Sequence, residues 1–584
     1  MRLVTFVATA ALAALPFAAG AQQSERLPAR ATIPSPPPLP VLPPVPSVAP
    51  GYSAPSVHAG TPRIVGTAGE PVVGIVLGDA IAMALLKNPN LAIAAGNRRI
   101  AFYGIEAAKG AFDVRFQLEP EIQRSIAAPQ NPFFAGPSYG PVVTGNSSVS
   151  GSVSGVLPNG QSYSVSLSQT RATNNEIVNL LNPTYLTALS FVLTQPLLRD
   201  AGMNAPKRAV ELSVINANQT QEQTLATVSD TIGAVEDAYW DLVSAWRNVA
   251  IQEEAMREAV AQQRSTIRLA RHGAGAPVDA VESGAQVDAD EAAVASALQS
   301  VATVQNQLKS EIAAGPSDPV WTANLVPTSP VLQVPPAPAF ARLVQEAMQN
   351  RPEIRQTLDA ELQADVDVAY ARNQLRPQVD LKLGYTTNGY AGTLLPLTPS
   401  NPLYAFVCPT SPCSFAVPPP LVGGFGQSYN TLLQQRYPYW NAGLVYSLPL
   451  GNRTARAQLE QALEQQRDAQ IALQATEERV VVEARNALQT YESALSRLAA
   501  ARAARHASEV VYASELRKFH NGTSTTFLVL ARQVQLAQYR GLELQAQTDL
   551  NKAVVELQRV SGAILTANGV NVETLGSRAL PAVP

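Results

Sequence analysis

The sequence predicts a mainly α-helical chain with a membrane β-barrel. Long antiparallel helices form an α-barrel, strands close a β-barrel only when several chains join, and the unit is present twice. Three observations carry this prediction. First, Pro206–Arg271 and Asn452–His520 are long helix-forming stretches, broken in the first only by Gly233 after its opening proline and in the second by no Gly or Pro at all. At ~1.5 Å rise per residue each helix is on the order of 100 Å long, against ~8–20 residues for an ordinary globular helix. Second, segments ahead of each long helix alternate apolar and polar residues with a period of two. Third, the landmarks of the first half recur in the second.

The N-terminus reads as a secretory signal. Arg2 supplies the positive charge, Leu3 to Phe17 the apolar segment, and Ala19-Gly20-Ala21 a small-residue cleavage site. Residues 1–21 are expected to be removed. Gln22 rather than Cys follows, which gives no N-terminal lipid anchor. No later run of ~18 apolar residues exists, so a mature protein that crosses a membrane must do so as a closed barrel. Residues 22–74 form a Pro-rich extension, as in Pro36-Pro37-Pro38. The formal charge of −3 points to no nucleic acid or other polyanion, and the 15% charged content suits long packed helices.

The first structural repeat is expected at 75–313. Leu77, Ile81, Leu85 and Leu86 open it as one helical face, broken by Asn88-Pro89, and a second helix runs to about Ala111. Strands follow over about 113–196. Val114, Phe116 and Leu118 alternate with polar residues. Val149, Val153, Tyr163, Val165 and Leu167 alternate with serines around the turn Pro158-Asn159-Gly160, and Leu189, Phe191 and Leu193 come last. A barrel with one apolar and one wet face requires this pattern. Pro196 ends the last strand, and the helical hairpin 206–312 turns at His272-Gly273-Ala274-Gly275-Ala276-Pro277.

A Pro-rich connector, 314–338, leads to the second repeat at 339–562. Its helix break is Arg351-Pro352, its strands span about 378–449, Pro449 is the junction, and the hairpin 452–560 turns at His520-Asn521-Gly522. Residues 563–584 form a tail. Asn88 and Arg351, Pro196 and Pro449, and Gly273 and Gly522 lie 263, 253 and 249 residues apart. In each repeat two shorter helices laid end to end nearly match the long one, giving four struts per chain. So few strands cannot close a wide barrel, and open edges are not tolerated in lipid, so closure needs a cyclic oligomer.

This layout resembles the TolC-like outer-membrane efflux family over nearly all of 75–562. The carriers are Pro89 and Pro352, Pro196 and Pro449, Ala238-Tyr239-Trp240-Asp241-Leu242, and Phe519-His520-Asn521-Gly522-Thr523-Ser524 with Leu528-Val529-Leu530. The resemblance implies a homotrimer with its barrel in outer-membrane lipid and a coiled-coil tunnel in the periplasm. It also implies a periplasmic adaptor and an inner-membrane pump as partners in efflux or type I secretion. It places the adaptor at the helical turns, here Arg271, His272, Gly273 and Gly275, and Lys518, His520, Gly522 and Thr523. The family has two strands per repeat, so the hairpin at Pro158 is a departure. It either widens the barrel or sits outside the wall, and an extended or decorated barrel is the favoured reading. The long loop 388–436 is expected outside the cell. It holds Cys408 and Cys413, a candidate disulfide in an exported chain. The family's acidic entrance ring has no match in Glu515-Leu516-Arg517-Lys518-Phe519-His520.

Tyr437, Tyr439, Trp440 and Tyr446 are expected as an interfacial aromatic belt or as sheet packing, and Trp240 and Trp246 as helix packing. Four scattered histidines and the lack of His-Glu-x-x-His, a phosphate loop or Gly-x-Ser-x-Gly predict no enzyme, no cofactor and no metal. The competing expectation is a periplasmic coiled-coil adaptor or scaffold that never enters lipid.

Overall fold

The computed structural model describes residues 71–128, 140–176, 179–329, 336–395, 404 and 417–570. The signal segment, most of the Pro-rich extension, Cys408, Cys413 and the end of the tail lie outside the described residues. The chain begins with β1 (Val72–Ile75), α1 (Leu77–Lys87) and α2 (Pro89–Lys109). Four strands follow: β2 (Arg115–Ala127), β3 (Val142–Val156), β4 (Ser162–Asn174) and β5 (Leu181–Pro196). The first long hairpin is α3 (Ala205–Arg271) with α4 (Pro277–Ile312). Then come β6 (Asn324–Pro327), α5 (Phe340–Asn350), α6 (Pro352–Gln374), β7 (Gln378–Leu394), α7 (Phe425–Leu433) and β8 (Tyr437–Ser447). The second long hairpin is α8 (Arg453–His520) with α9 (Thr526–Val560), and α10 (Ile564–Ala567) closes the described chain.

The long helices α3 and α8 hold 67 and 68 residues, each on the order of 100 Å. The expected pairing is present. Helix α3 packs along α2 and α4, and α8 along α6 and α9. Helices α6 and α9 also lie against α3, which joins the two hairpins. One core sets Ile232, Val235, Tyr239 and Leu242 of α3 against Val301, Leu308 and Ile312 of α4. The other sets Tyr491, Ala494 and Leu498 of α8 against Leu550 and Val554 of α9 and Leu343 of α5. The break at Asn88-Pro89 is a cap: Asn88 Oδ1 accepts from the Asn90 amide, and Pro89 takes the first-turn position that needs no N–H. In α1 the expected face is corrected. Ala80, Ile81 and Ala84 are buried, but Leu86 is 76% exposed, because five residues beyond Ile81 is about 140° around the helix.

Two short segments were not legible as structure. The connector contains β6, which pairs in parallel with β1, whose first residues fall inside the expected extension. Side chains of α3 clamp this pair. Tyr239 Oη donates to the Ile75 carbonyl (3.1 Å) and accepts from the Ser329 amide (3.0 Å). Trp246 Nε1 donates to the Leu325 carbonyl (3.0 Å), so this tryptophan tethers the connector as well as packing the helix. Tyr239→Phe leaves the half-buried Ser329 amide without this acceptor and is expected to cost about 1 kcal/mol. Hydrogen exchange checks it: protection should fall in residues 72–77 and 324–329 while the helices keep theirs.

The other strands form one antiparallel sheet in the order β2-β3-β4-β5-β7-β8. The hairpin at Pro158 is therefore part of the sheet, with β3 registered on β2 (Leu118 opposite Gly151) and β4 on β5 (Leu167 opposite Leu189). Register sets most of the large apolar residues on one face: Phe116 and Leu118, Val149 and Val153, Val165 and Leu167, Leu189 and Phe191, Leu383 and Tyr385, Trp440 and Leu444, while Leu186, Val192 and Val445 fall on the other. All of these side chains are exposed. The opposite face carries Glu119, serines of β3 and β4, Ser190, Thr386 and Asn441. Helix α7 lies on the apolar face towards the end away from the long helices. There the Ser428 hydroxyl meets that of Thr187 (2.8 Å), and the rings of Tyr185 and Phe425 approach to 4.4 Å.

The aromatic-belt expectation is corrected by the same period of two. Trp440 and Tyr446 lie on the apolar face, whereas Tyr437 and Tyr439 lie on the other, where Tyr437 packs edge-on against Tyr390 (5.2 Å). Adjacent strand positions point to opposite faces and cannot share one belt.

Candidate functional site

Two regions of the long helices are the candidate site: their free ends, where each hairpin turns, and the junctions with the sheet. At the first turn Gly273 has φ +71°, its amide reaches the Ala270 carbonyl (3.1 Å), and the Ala274 amide reaches that of Leu269 (2.9 Å). At the second turn Gly522 has φ +75°, with the same two bonds from Gly522 to Phe519 (3.0 Å) and from Thr523 to Lys518 (2.9 Å). Both are Schellman caps, in which a left-handed residue lets two amides satisfy carbonyls that the helix end leaves free. Glycine takes that conformation without the clash a Cβ would bring.

The residues that the sequence places at the two turns lie at these ends. Arg271, His272, Gly273, Lys518, His520, Gly522 and Thr523 are exposed, and Gly275 is half-buried against Leu269. Arg271, Lys518 and His520 sit in last helical turns, where cations are favoured by the helix dipole. Lys518 pairs with Glu515 (3.2 Å), and Glu515 also accepts from the Ser524 hydroxyl. That hydroxyl first, and then Lys518, hold the Glu515 carboxyl below its ordinary range. Sequence reasoning passed over Val278 and Phe527. They occupy equivalent positions in the first turn of each returning helix and are 66% and 61% exposed. The signal was present, since both are apolar residues directly after a turn with no periodic partner facing a core.

At the junctions, Pro196 is buried at the end of β5, and Pro449 is exposed in the short link after β8. Asn204 joins sheet to helix. Its Oδ1 caps α3 at the Lys207 amide (3.0 Å), and its Nδ2 donates to the Pro158 carbonyl (3.0 Å). Further along, α3 carries partly buried carboxylates. Lys552 pairs with Asp241 (2.6 Å), and the Asn568 amide donates to Glu236 (2.6 Å). Burial pushes Asp237 up to about 6, opposed by Lys552 and reinforced by Asp241 and Glu556. A carboxyl with a raised folded pKa stabilises the fold below its unfolded value near 4, and that contribution is lost as pH rises through about 6. Asp237→Asn is therefore expected to leave the melting temperature unchanged below pH 4. The variant should gain stability between pH 4 and 6 and keep the gain above, as thermal melts across pH would check. Among the described residues no group of three or more His, Cys, Asp or Glu is arranged to hold a metal ion. No described helix is long and apolar enough to cross a membrane.

Comparison with known proteins agrees with this architecture. Residues 343–563 match the family described as outer membrane efflux protein. No curated protein sequence matches the chain. Among solved structures it is similar to the CmeC outer membrane channel of Campylobacter jejuni, at 14% identity and TM-score 0.59, covering 87% of this chain and 90% of that one. It is also similar to the open-state MtrE outer membrane channel of Neisseria gonorrhoeae (16%, 0.55, 84% and 89%). A third likeness is to the outer membrane protein VceC of Vibrio cholerae (14%, 0.56, 83% and 96%). Residues 343–563 thus match the outer membrane efflux protein family, and the chain as a whole shares its fold with these solved outer-membrane channels.

Proposed function

We propose that three copies of this chain assemble into a channel-tunnel of the outer membrane. Its role is to conduct cargo passively from a periplasmic adaptor and inner-membrane pump, in efflux or type I secretion. The observation that carries this reading is the sheet. An exposed, mainly apolar face runs across six strands, hydroxyls and charges predominate on the other face, and helices on the order of 100 Å hang from it. In water so large an apolar face has no occupant, which argues against the soluble scaffold. In lipid it is the wall of a barrel. On this reading the chain is a duplicated unit whose halves, 75–313 and 339–562, each give two struts, and the helices lie in the periplasm.

The turns are then the docking end. Arg271, His272, Gly273 and Gly275, and Lys518, His520, Gly522 and Thr523, meet the adaptor, with Val278 and Phe527 as apolar contacts. The energy for transport comes from the pump, since the chain carries no nucleotide-binding or hydrolytic motif. Reconstitution into planar bilayers tests the proposal. Discrete conductance steps without nucleotide are expected, whereas protein that remains in solution and never inserts would favour the scaffold.

A further inference from the structure

The hairpin at Pro158-Asn159-Gly160 adds two strands to the sheet of each chain. Strands β2, β5, β7 and β8 each connect at one end to α2, α3, α6 and α8, so four strands continue into four helical struts. Strands β3 and β4 continue into no helix. They turn back through Leu157–Gln161 at the helical end of the sheet, yet they hydrogen-bond along their length to β2 and β5. The turn is fixed to the junction beneath. The Pro158 carbonyl accepts from Asn204 (3.0 Å), and that of Asn159 accepts from the Gly202 amide (3.3 Å). Gly160, at φ +89°, lies so close that a Cβ there would meet the Asp200 carbonyl at 2.3 Å.

The faces of the hairpin match those of its neighbours. Val153 and Val165 extend the apolar face, and the pairs Ser150–Ser168, Ser152–Ser166 and Ser154–Ser164 extend the polar one. A decoration outside the wall would leave β2 and β5 to pair with each other, whereas they stand two strands apart. The described sheet ends at β2 and β8, whose residues are exposed throughout. In an antiparallel sheet of six these edges run in opposite directions. Strand β8 of one copy can therefore pair antiparallel with β2 of the next, and lipid requires such pairing of every edge.

We infer that the hairpin is wall, and that three copies close a barrel of eighteen strands above a tunnel built from twelve helical struts. Barrel width grows roughly linearly with strand number, so the bore is about half again that of a barrel with four strands per chain. Small uncharged hydroxyls line the added third. The membrane end is thus wide, its added third carries no charge, and it is expected to place no size filter on cargo that has passed the helical end.

The inference rests on the threefold assembly proposed above, but its test does not. In a Cys408→Ser, Cys413→Ser background, three cysteine pairs are oxidised in intact outer membranes. Leu118→Cys with Gly151→Cys, and Leu167→Cys with Leu189→Cys, are expected to form intrachain disulfides, and Leu118→Cys with Leu189→Cys none. A disulfide in the third pair, or none in the first two, overturns the placement whatever the oligomeric state. Electron-microscopic averaging of the unmodified particle gives the second readout. Eighteen strands around the rim support the inference, and twelve with three outlying hairpins overturn it.

Discussion

Leu189→Arg is expected to abolish assembly in the outer membrane, and Ser166→Arg to leave it intact. The two positions are neighbours across the β4–β5 pairing, since Leu189 faces Leu167 and Ser166 faces Ser190. They project from opposite faces of the sheet. On the apolar face an arginine near the bilayer midplane costs about 2–4 kcal/mol. In a trimer the cost is paid three times, on the order of 10 kcal/mol, which is comparable to the whole stability of an ordinary domain. On the polar face the same side chain extends into water. Fractionated membranes probed for each variant would show it. Equal recovery of both from the outer membrane would mean that the apolar face does not meet lipid.

The second large effect lies at the other end of the chain. Gly273→Val with Gly522→Val places β-branched residues at φ +71° and +75°, a strain of about 1–3 kcal/mol at each turn. If the caps position the docking end, the strain at each turn corresponds to on the order of ten- to a hundredfold in adaptor affinity. Nothing packs within 4 Å of either missing Cβ, so the effect comes from the backbone and not from a clash. Export should fall with it, while membrane insertion and the oligomer persist, because both turns lie far from the sheet. Normal export by the double variant would remove the turns from the docking end.

The long helices were legible because their signal is redundant. Dozens of residues agree, and the ends carry strong punctuation in Pro206 and Gly273, and in Asn452 and Gly522. Their boundaries hold to within one residue. The strands were legible from strict alternation, as in the serines of β3 and β4. Their order was not legible, because alternation fixes which face a residue takes but not which strand lies beside it. The same limit explains Tyr437 and Tyr439, whose aromatic character suggested a belt that parity divides. Strands β1 and β6 were hidden because four residues with prolines around them give no periodicity. What stabilises them is Tyr239 and Trp246, more than sixty residues away along the chain. At the tips the glycines were found through turn chemistry, while Val278 and Phe527 became visible only when exposure could be measured.

Assembly into a threefold channel of the outer membrane can be weighed outright, as the mass of the detergent-extracted particle. Light scattering, corrected for bound detergent, should give about three times the mass of the mature chain, from outer-membrane fractions only. A water-soluble monomer or dimer released with the periplasm would contradict it, since the exposed apolar face of the sheet would then have no lipid to meet.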